Sequence, residues 1–155
     1  MKEIYLSLGS NLGDKNNNFI EAINRLNINL GSVVIRESRR IITEPWGFES
    51  ENEFLNSVVV YQLDDSFLPE TLLRVCKKIE AEMGRSECVE YDKNGRRIYF
   101  SRIIDIDILL FDNQIVSANN LIIPHPLISE RDFVLIPLKE VSSEYIRNIF
   151  PTLFV

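Results

Sequence analysis

The chain has 155 residues, of which 45% are hydrophobic and 26% are charged, a balance typical of one globular domain spanning residues 1–155. Its formal net charge of −6 argues against nucleic acid as the main partner, because a phosphate backbone requires a basic surface. We expect a cytoplasmic protein, since no apolar run reaches the roughly 18 residues of a membrane span and two cysteines are too few for a disulfide framework.

Apolar residues recur along the chain with the spacings of helices and strands. Asp14 is the predicted N-cap of the first helix, Pro69 suits the first turn of the second, and Gly84 is a natural end for it. Ser129 is expected to cap a short third helix that Pro137 ends. In chain order the predicted elements are a strand (4–8), a helix (15–26), two strands (33–42 and 56–63), a helix (69–83), a strand (103–111) and a short helix (129–137).

This order predicts an α+β fold of the ferredoxin-like type, β-α-β-β-α-β with additional C-terminal elements. In such a fold a mainly antiparallel sheet carries packed helices. Because one fold supports many activities, function has to be argued from individual residues.

Two long segments lack a clear hydrophobic period. Residues 43–54 contain Trp46, the only tryptophan, and residues 87–101 are polar and basic. Segments of this length in a compact domain are often lids or binding loops, and the alternative is a tolerated insertion.

The most specific local pattern is Asp105-Ile106-Asp107, inside a strongly apolar predicted strand. Residues two apart on a strand share a face, so the two carboxylates are expected on one side together with Leu109 and Phe111. Carboxylate oxygens plus substrate phosphates are ligands that Mg²⁺ prefers. The pattern therefore indicates a metal site, and the alternative is a solvated strand end.

Other candidate positions are individually weak. The segment Gly9 to Lys15 follows a strand and precedes a helix, but it lacks the spacing of a Walker phosphate loop and is better explained as a tight turn. His125 is the only histidine and lies between two prolines, with Arg131 six residues later. A rigid imidazole and a planar guanidinium suit phosphate binding, although a lone histidine is usually structural.

Several motifs occur in a fixed order along the chain. The most specific are Arg102-x-x-Asp105-x-Asp107, Pro124-His125-Pro126 and Arg131-x-Phe133, and the others are residues 8–14, 43–47, 54–56, 79–80 and 84–85. Together they cover nearly the whole chain and resemble the 6-hydroxymethyl-7,8-dihydropterin pyrophosphokinases of folate synthesis. That family has the ferredoxin-like fold.

The resemblance implies transfer of diphosphate from ATP to the hydroxymethyl group of the pterin, with AMP as the other product. It implies that Asp105 and Asp107 hold two Mg²⁺ ions that bridge the phosphates of ATP. The catalytic residues that it implies are these two aspartates with Arg85 and Arg102. The residues that it places at the nucleotide are Glu80, Arg85, Arg102, His125 and Arg131.

The resemblance also implies a binding site for the pterin ring. Phe54 and Phe133 would enclose the ring, which is flat and apolar on its faces. Asn56 and backbone groups near Thr43 and Trp46 would bind its polar edge.

Residues 87–101 are expected to form a mobile lid that orders over the bound nucleotide and excludes water. The implied lid residues are Arg96, Arg97, Tyr99 and Phe100. The segment is several residues longer than in many members of the family, and Tyr99-Phe100 stands where many carry a tryptophan.

The expected partners are ATP and the pterin alcohol, and we expect a monomer.

The residues alone also allow two other classes of protein. One is a metal-dependent nucleotidyl- or glycosyltransferase that uses the two aspartates for a different nucleotide. The other is a non-catalytic regulatory module that binds a small ligand.

Overall fold

The structure is a computed structural model that describes residues 1–43, 53–84, 90–91, 93–95, 97–98 and 103–155. Within these residues five strands form the main sheet: β1 (Lys2–Ser10), β2 (Arg36–Glu37), β3 (Ile41–Thr43), β4 (Phe54–Leu63) and β7 (Asp105–Phe111). Strand β1 lies between β4 and β7, while β2 and β3 both pair with the far side of β4. All of these pairings are antiparallel.

Two small hairpins accompany the main sheet. Strands β5 (Glu90–Tyr91) and β6 (Arg97–Ile98) form one, and β8 (Val116–Ala118) and β9 (Leu121–Ile123) form the other. The second hairpin was not predicted, although the pair Asn119-Asn120 between two short apolar runs is a hairpin signal.

The predicted strand over residues 33–42 is wrong as one continuous element, because the structure contains β2 and β3 instead. Between them Ser38 is buried, and its Oγ accepts the N–H of Val58 at 2.9 Å, while its own N–H donates to the Val58 carbonyl. A side chain therefore makes one of the bonds that a strand backbone would make, and the ladder is interrupted there.

Helices α1 (Lys15–Leu30) and α2 (Pro69–Glu82) have the predicted starts. The side chain of Asp14 accepts the N–H of Asn17, so the predicted N-cap is confirmed. Helix α1 runs one turn further than predicted because Leu30 is buried, and it ends at Gly31 with a φ of 61°, a conformation that favours glycine.

The prediction for the third helix is wrong at both ends. Ser129 lies in a separate 3-10 helix (Ile128–Glu130), and helix α3 (Asp132–Val141) begins after Arg131 without a side-chain cap. Pro137 lies inside α3 and is buried. Burial of the apolar face of α3 against the sheet offsets the backbone hydrogen bond that a proline cannot make. A short helix, α4 (Glu144–Ile149), and a 3-10 helix (Pro151–Phe154) follow.

The sheet separates two apolar cores. On one face α1 and α2 pack against alternate residues of β1, including Ile4, Leu6 and Leu8. On the other face α3 packs against the intervening positions, including Tyr5 of β1 and Val58 of β4. No helix in the described part of the chain is both long and apolar enough to cross a membrane.

A β-bulge in β7 changes the predicted faces of that strand. Tyr5 pairs with Leu110 and Leu6 pairs with Ile108, so Leu109 is an extra residue. Beyond the bulge the alternation is inverted: Phe111 packs in the core of α1 and α2, and Leu110 packs in the core of α3. The prediction that Phe111 shares a face with the aspartates is therefore wrong.

Candidate active site

A cavity of about 510 Å³ lies at the outer edge of β7, between α2 and the β8–β9 hairpin. The segment after β9 closes its remaining side. Five of the residues predicted for the metal and nucleotide sites line this cavity: Glu80, Asp105, Asp107, His125 and Arg131. The structure thus brings together groups that are up to 51 positions apart, from residue 80 to residue 131.

Asp105 and Asp107 begin β7, and both are partly exposed. They pair with Gly9 and Ser7 of β1, which places them on the sheet face that α3 covers, the face of Tyr5. In the described residues no group of three or more His, Cys, Asp or Glu side chains could hold a metal ion. Two carboxylates could hold a hard cation together with oxygens of a bound ligand, which is the usual manner for Mg²⁺.

Glu80 lies in the last turn of α2 and is only 3% exposed. Its Oε2 accepts the N–H of Ile106, the residue between the two aspartates, at 2.9 Å. Sequence reasoning placed Glu80 at the nucleotide, and the structure adds a contact with the strand that carries the aspartates.

His125 is held by two backbone contacts. Its N–H donates to the carbonyl of Leu109, the bulged residue of β7, at 2.9 Å, and its Nδ1 accepts the N–H of Leu127 at 3.1 Å. Burial and the nearby Arg131 lower the pKa of His125, against an opposing effect of Asp105. Because Nδ1 is an acceptor, the proton of the neutral ring is on Nε2, which can donate to a ligand.

A second group of predicted residues lies on β3 and β4. Thr43 pairs with Phe54, and the Nδ2 of Asn56 donates to Thr43 Oγ1 at 2.8 Å. Gly9 lies directly beside them: a Cβ on Gly9 would be 3.4 Å from Asn56 Oδ1 and 3.7 Å from a ring carbon of Phe54. The absence of a side chain at Gly9 therefore leaves the space between this group and β7 open.

The two groups face each other across β1. Gly9 pairs with Asn56 on one side and with Asp105 on the other, so the three residues form one row on the same face. With neighbouring strands about 5 Å apart, the backbones of Asn56 and Asp105 are roughly 10 Å apart. Sequence reasoning did not predict this row, because strand register depends on pairing between distant segments.

Phe133 approaches the same face from the start of α3. Its ring is partly buried against the core of α3, and the Arg131 guanidinium lies 5.9 Å from the ring centroid. Arg131 also influences His125. It therefore connects the cavity beside β7 with the aromatic ring predicted to contact the pterin.

The remaining predicted residues fall mostly outside the described residues. These are Trp46, Arg85, Arg96, Tyr99, Phe100 and Arg102. Of the predicted lid, Arg97 lies in β6, for which the structure gives the backbone pairing with β5.

Comparison with known proteins identifies the family of this chain. A family model described as 7,8-dihydro-6-hydroxymethylpterin-pyrophosphokinase matches residues 5–143. A 2-amino-4-hydroxy-6-hydroxymethyldihydropteridine pyrophosphokinase of Porphyromonas gingivalis is 41% identical over 143 residues, covering 92% of each chain. The enzyme of the same name from Methylorubrum extorquens is 37% identical over 146 residues, covering 94% of this chain and 86% of that one.

A crystal structure of HPPK-DHPS in complex with substrates has a similar fold, with a TM-score of 0.63 and 16% sequence identity. The similarity covers 97% of this chain and 43% of that longer one. The length of the family match and the identity to full-length relatives show that this chain is a member of the 7,8-dihydro-6-hydroxymethylpterin-pyrophosphokinase family.

Proposed function

We propose that this protein transfers the diphosphate group of ATP to the hydroxymethyl group of 6-hydroxymethyl-7,8-dihydropterin in folate synthesis. Membership of the pyrophosphokinase family supports the reaction. The observation that carries the proposal is the row formed by Asn56, Gly9 and Asp105 on three adjacent strands. This row supports neighbouring sites for the pterin and the phosphates, as transfer between two bound substrates requires.

The cavity beside β7 is the proposed site for ATP. Asp105 and Asp107 are suited to hold two Mg²⁺ ions together with phosphate oxygens, since they are two carboxylates on one strand face beside a cavity. Such ions supply charge neutralisation at the phosphates when bound. His125, through Nε2–H, and Arg131 also line the cavity and are suited to donate to the phosphates.

The pterin is proposed to bind over Gly9, between the rings of Phe54 and Phe133. Asn56 is nearly buried, and its amide is oriented by Thr43, so it presents a fixed hydrogen-bonding edge. The two aromatic side chains match the apolar faces of the pterin ring. From the family resemblance we also assign Trp46 to this site.

In the proposed reaction the pterin hydroxymethyl oxygen bonds to the β-phosphorus of ATP, and the bond from that phosphorus to the α-phosphate oxygen breaks. AMP leaves with the electron pair, and the hydroxyl proton is released. The protein contributes mainly orientation and charge, as in other phosphoryl transfers. From the resemblance we assign Arg85 and Arg102 to the phosphates and residues 87–101 to a lid.

We also infer the fold type, the number of domains, the oligomeric state and the cellular location. If β2 and β3 are counted as one interrupted strand, the strand order of the main sheet supports a ferredoxin-like core with C-terminal additions. We further propose that the chain acts as a single-domain monomer in the cytoplasm.

The direct test is to mix the protein with ATP, Mg²⁺ and the pterin alcohol and to separate the products chromatographically. We expect AMP and pterin diphosphate in equal amounts. A nucleotidyltransferase would instead release inorganic diphosphate, and a non-catalytic binding module would leave ATP intact. Either result would contradict the proposed function.

A further inference from the structure

In the described residues, strand β7 lies at one edge of the main sheet, with helix α2 beside it. It pairs with β1 on one side, and in the described residues α2 packs against its other side. The N–H of Ile106 points to this outer side and donates to Oε2 of Glu80 at 2.9 Å. Ile106 and Glu80 are both buried, so a helix side chain takes the place that a neighbouring strand would occupy.

Two features of the position of Glu80 disfavour a carboxylate. It lies in the last turn of α2, where the helix dipole disfavours negative charge, and burial disfavours it further. A carboxylate in such a place is more readily explained by a role in the site than by stability alone.

We propose that Glu80 is a positioning residue for the transfer reaction, an inference that rests on the proposed function. The peptide that it holds lies between Asp105 and Asp107. Fixing this peptide fixes the strand geometry of both aspartates, whose Cα atoms are roughly 7 Å apart in an extended strand. Glu80 therefore acts on the phosphates through the backbone of β7. Residues that do not bind a metal themselves commonly orient its ligands in this way.

Two substitutions separate the hydrogen bond from the charge. Glu80→Gln removes the charge but keeps an oxygen that accepts the Ile106 N–H, whereas Glu80→Met keeps the length and the helix preference without a comparable acceptor. Glu82→Ala is the matched control, because it removes an exposed carboxylate from the same helix. Thermal unfolding of each variant establishes that it is folded at the assay temperature.

The main measurement is the affinity for a non-hydrolysable ATP analogue with and without Mg²⁺, together with kcat and KM for AMP formation. In Glu80→Met we expect kcat and the affinity for the metal-loaded analogue to fall by about tenfold or more. Binding without metal should fall by less, because the altered aspartate geometry acts on the nucleotide through the metal. Glu82→Ala should remain close to the wild-type protein, and Glu80→Gln should lose less than Glu80→Met because it keeps an acceptor for the Ile106 N–H.

Three results would overturn the inference. They are wild-type metal-dependent binding in Glu80→Met, an equal loss of binding with and without Mg²⁺, and a loss in Glu80→Gln as large as in Glu80→Met. If Glu80→Met does not fold, hydrogen exchange of the Ile106 amide in the wild-type protein decides: slow exchange supports the bond and fast exchange excludes it. Failure of the wild-type protein to form AMP would instead overturn the proposed function. The binding measurements do not require AMP formation, so the two kinds of failure can be told apart.

Discussion

Replacing Thr43 by valine tests how the proposed contact with the pterin edge is oriented. Valine keeps the shape of threonine but lacks the hydroxyl that accepts the Nδ2–H of Asn56 at 2.8 Å. Asn56 is 6% exposed, so water has little access to replace the lost acceptor. A buried donor left without its partner costs about 1–3 kcal/mol.

We expect the Thr43→Val substitution to lower the free energy of unfolding by about 1–2 kcal/mol. In a chain of this size each kcal/mol lowers Tm by about 2–4 °C. The released amide can rotate away from the orientation that the pterin needs, so pterin affinity should fall by roughly tenfold, equivalent to about 1.4 kcal/mol. Affinity for an ATP analogue should stay unchanged, because Thr43 lies on β3, across the sheet from the cavity.

Titration calorimetry with the pterin alcohol, at a saturating concentration of a non-hydrolysable ATP analogue and Mg²⁺, measures the affinity. Thr43→Ser is the matched control, since it keeps the hydroxyl and should bind pterin nearly as well as the wild-type protein. Wild-type pterin affinity in Thr43→Val would refute the reasoning, and so would an equal loss in Thr43→Ser.

Three other groups of side chains give separate predictions. Asp105→Asn or Asp107→Asn should nearly abolish AMP formation while thermal unfolding shows an intact fold, and near-normal turnover in either variant would contradict their proposed role at the phosphates. Phe54→Ala and Phe133→Ala should weaken pterin binding by about tenfold or more and ATP binding far less, because an aromatic stack is worth about 1 kcal/mol beyond its buried area; calorimetric losses equal for both ligands would identify them as core residues. Burial lowers the pKa of His125, so its neutral form stabilises the folded protein above pH about 6.5 and this contribution disappears as the pH falls. The free energy of urea unfolding between pH 7 and pH 5 should depend less on pH in His125→Gln than in the wild-type protein. An unchanged dependence would show that His125 is not its source.

Local patterns in the sequence predicted the elements well where the controlling interactions are also local. The N-cap at Asp14 and the start of α2 at Pro69 depend on neighbouring residues, and both were predicted correctly. The interruption at Ser38 and the continuation of α3 through Pro137 depend on contacts with distant segments. Tertiary packing decided both of these cases against the local preference.

The same distinction between local and long-range interactions applies to the candidate site. Two carboxylates on one strand face could be predicted from Asp105 and Asp107, because side-chain alternation is a property of the strand itself. The row through Gly9 could not, since it depends on the register of β1 against two strands. The bulge at Leu109 is equally non-local, and it both inverts the end of β7 and supplies the carbonyl that holds His125.

The central position of β1 also has a consequence for how the protein is made. Leu6 pairs with Val59 and with Ile108, which lies 102 positions later, so β1 is synthesised long before its second partner. At about 5–20 residues per second, roughly 5–20 s separate the two during translation. Pairings over such sequence distances also form slowly, because the chain entropy of closing the loop opposes them. The strand that carries both aspartates is therefore the last strand of the main sheet to be synthesised. A nascent chain that ends before it contains Phe54 and Asn56 but neither the two carboxylates nor Phe133.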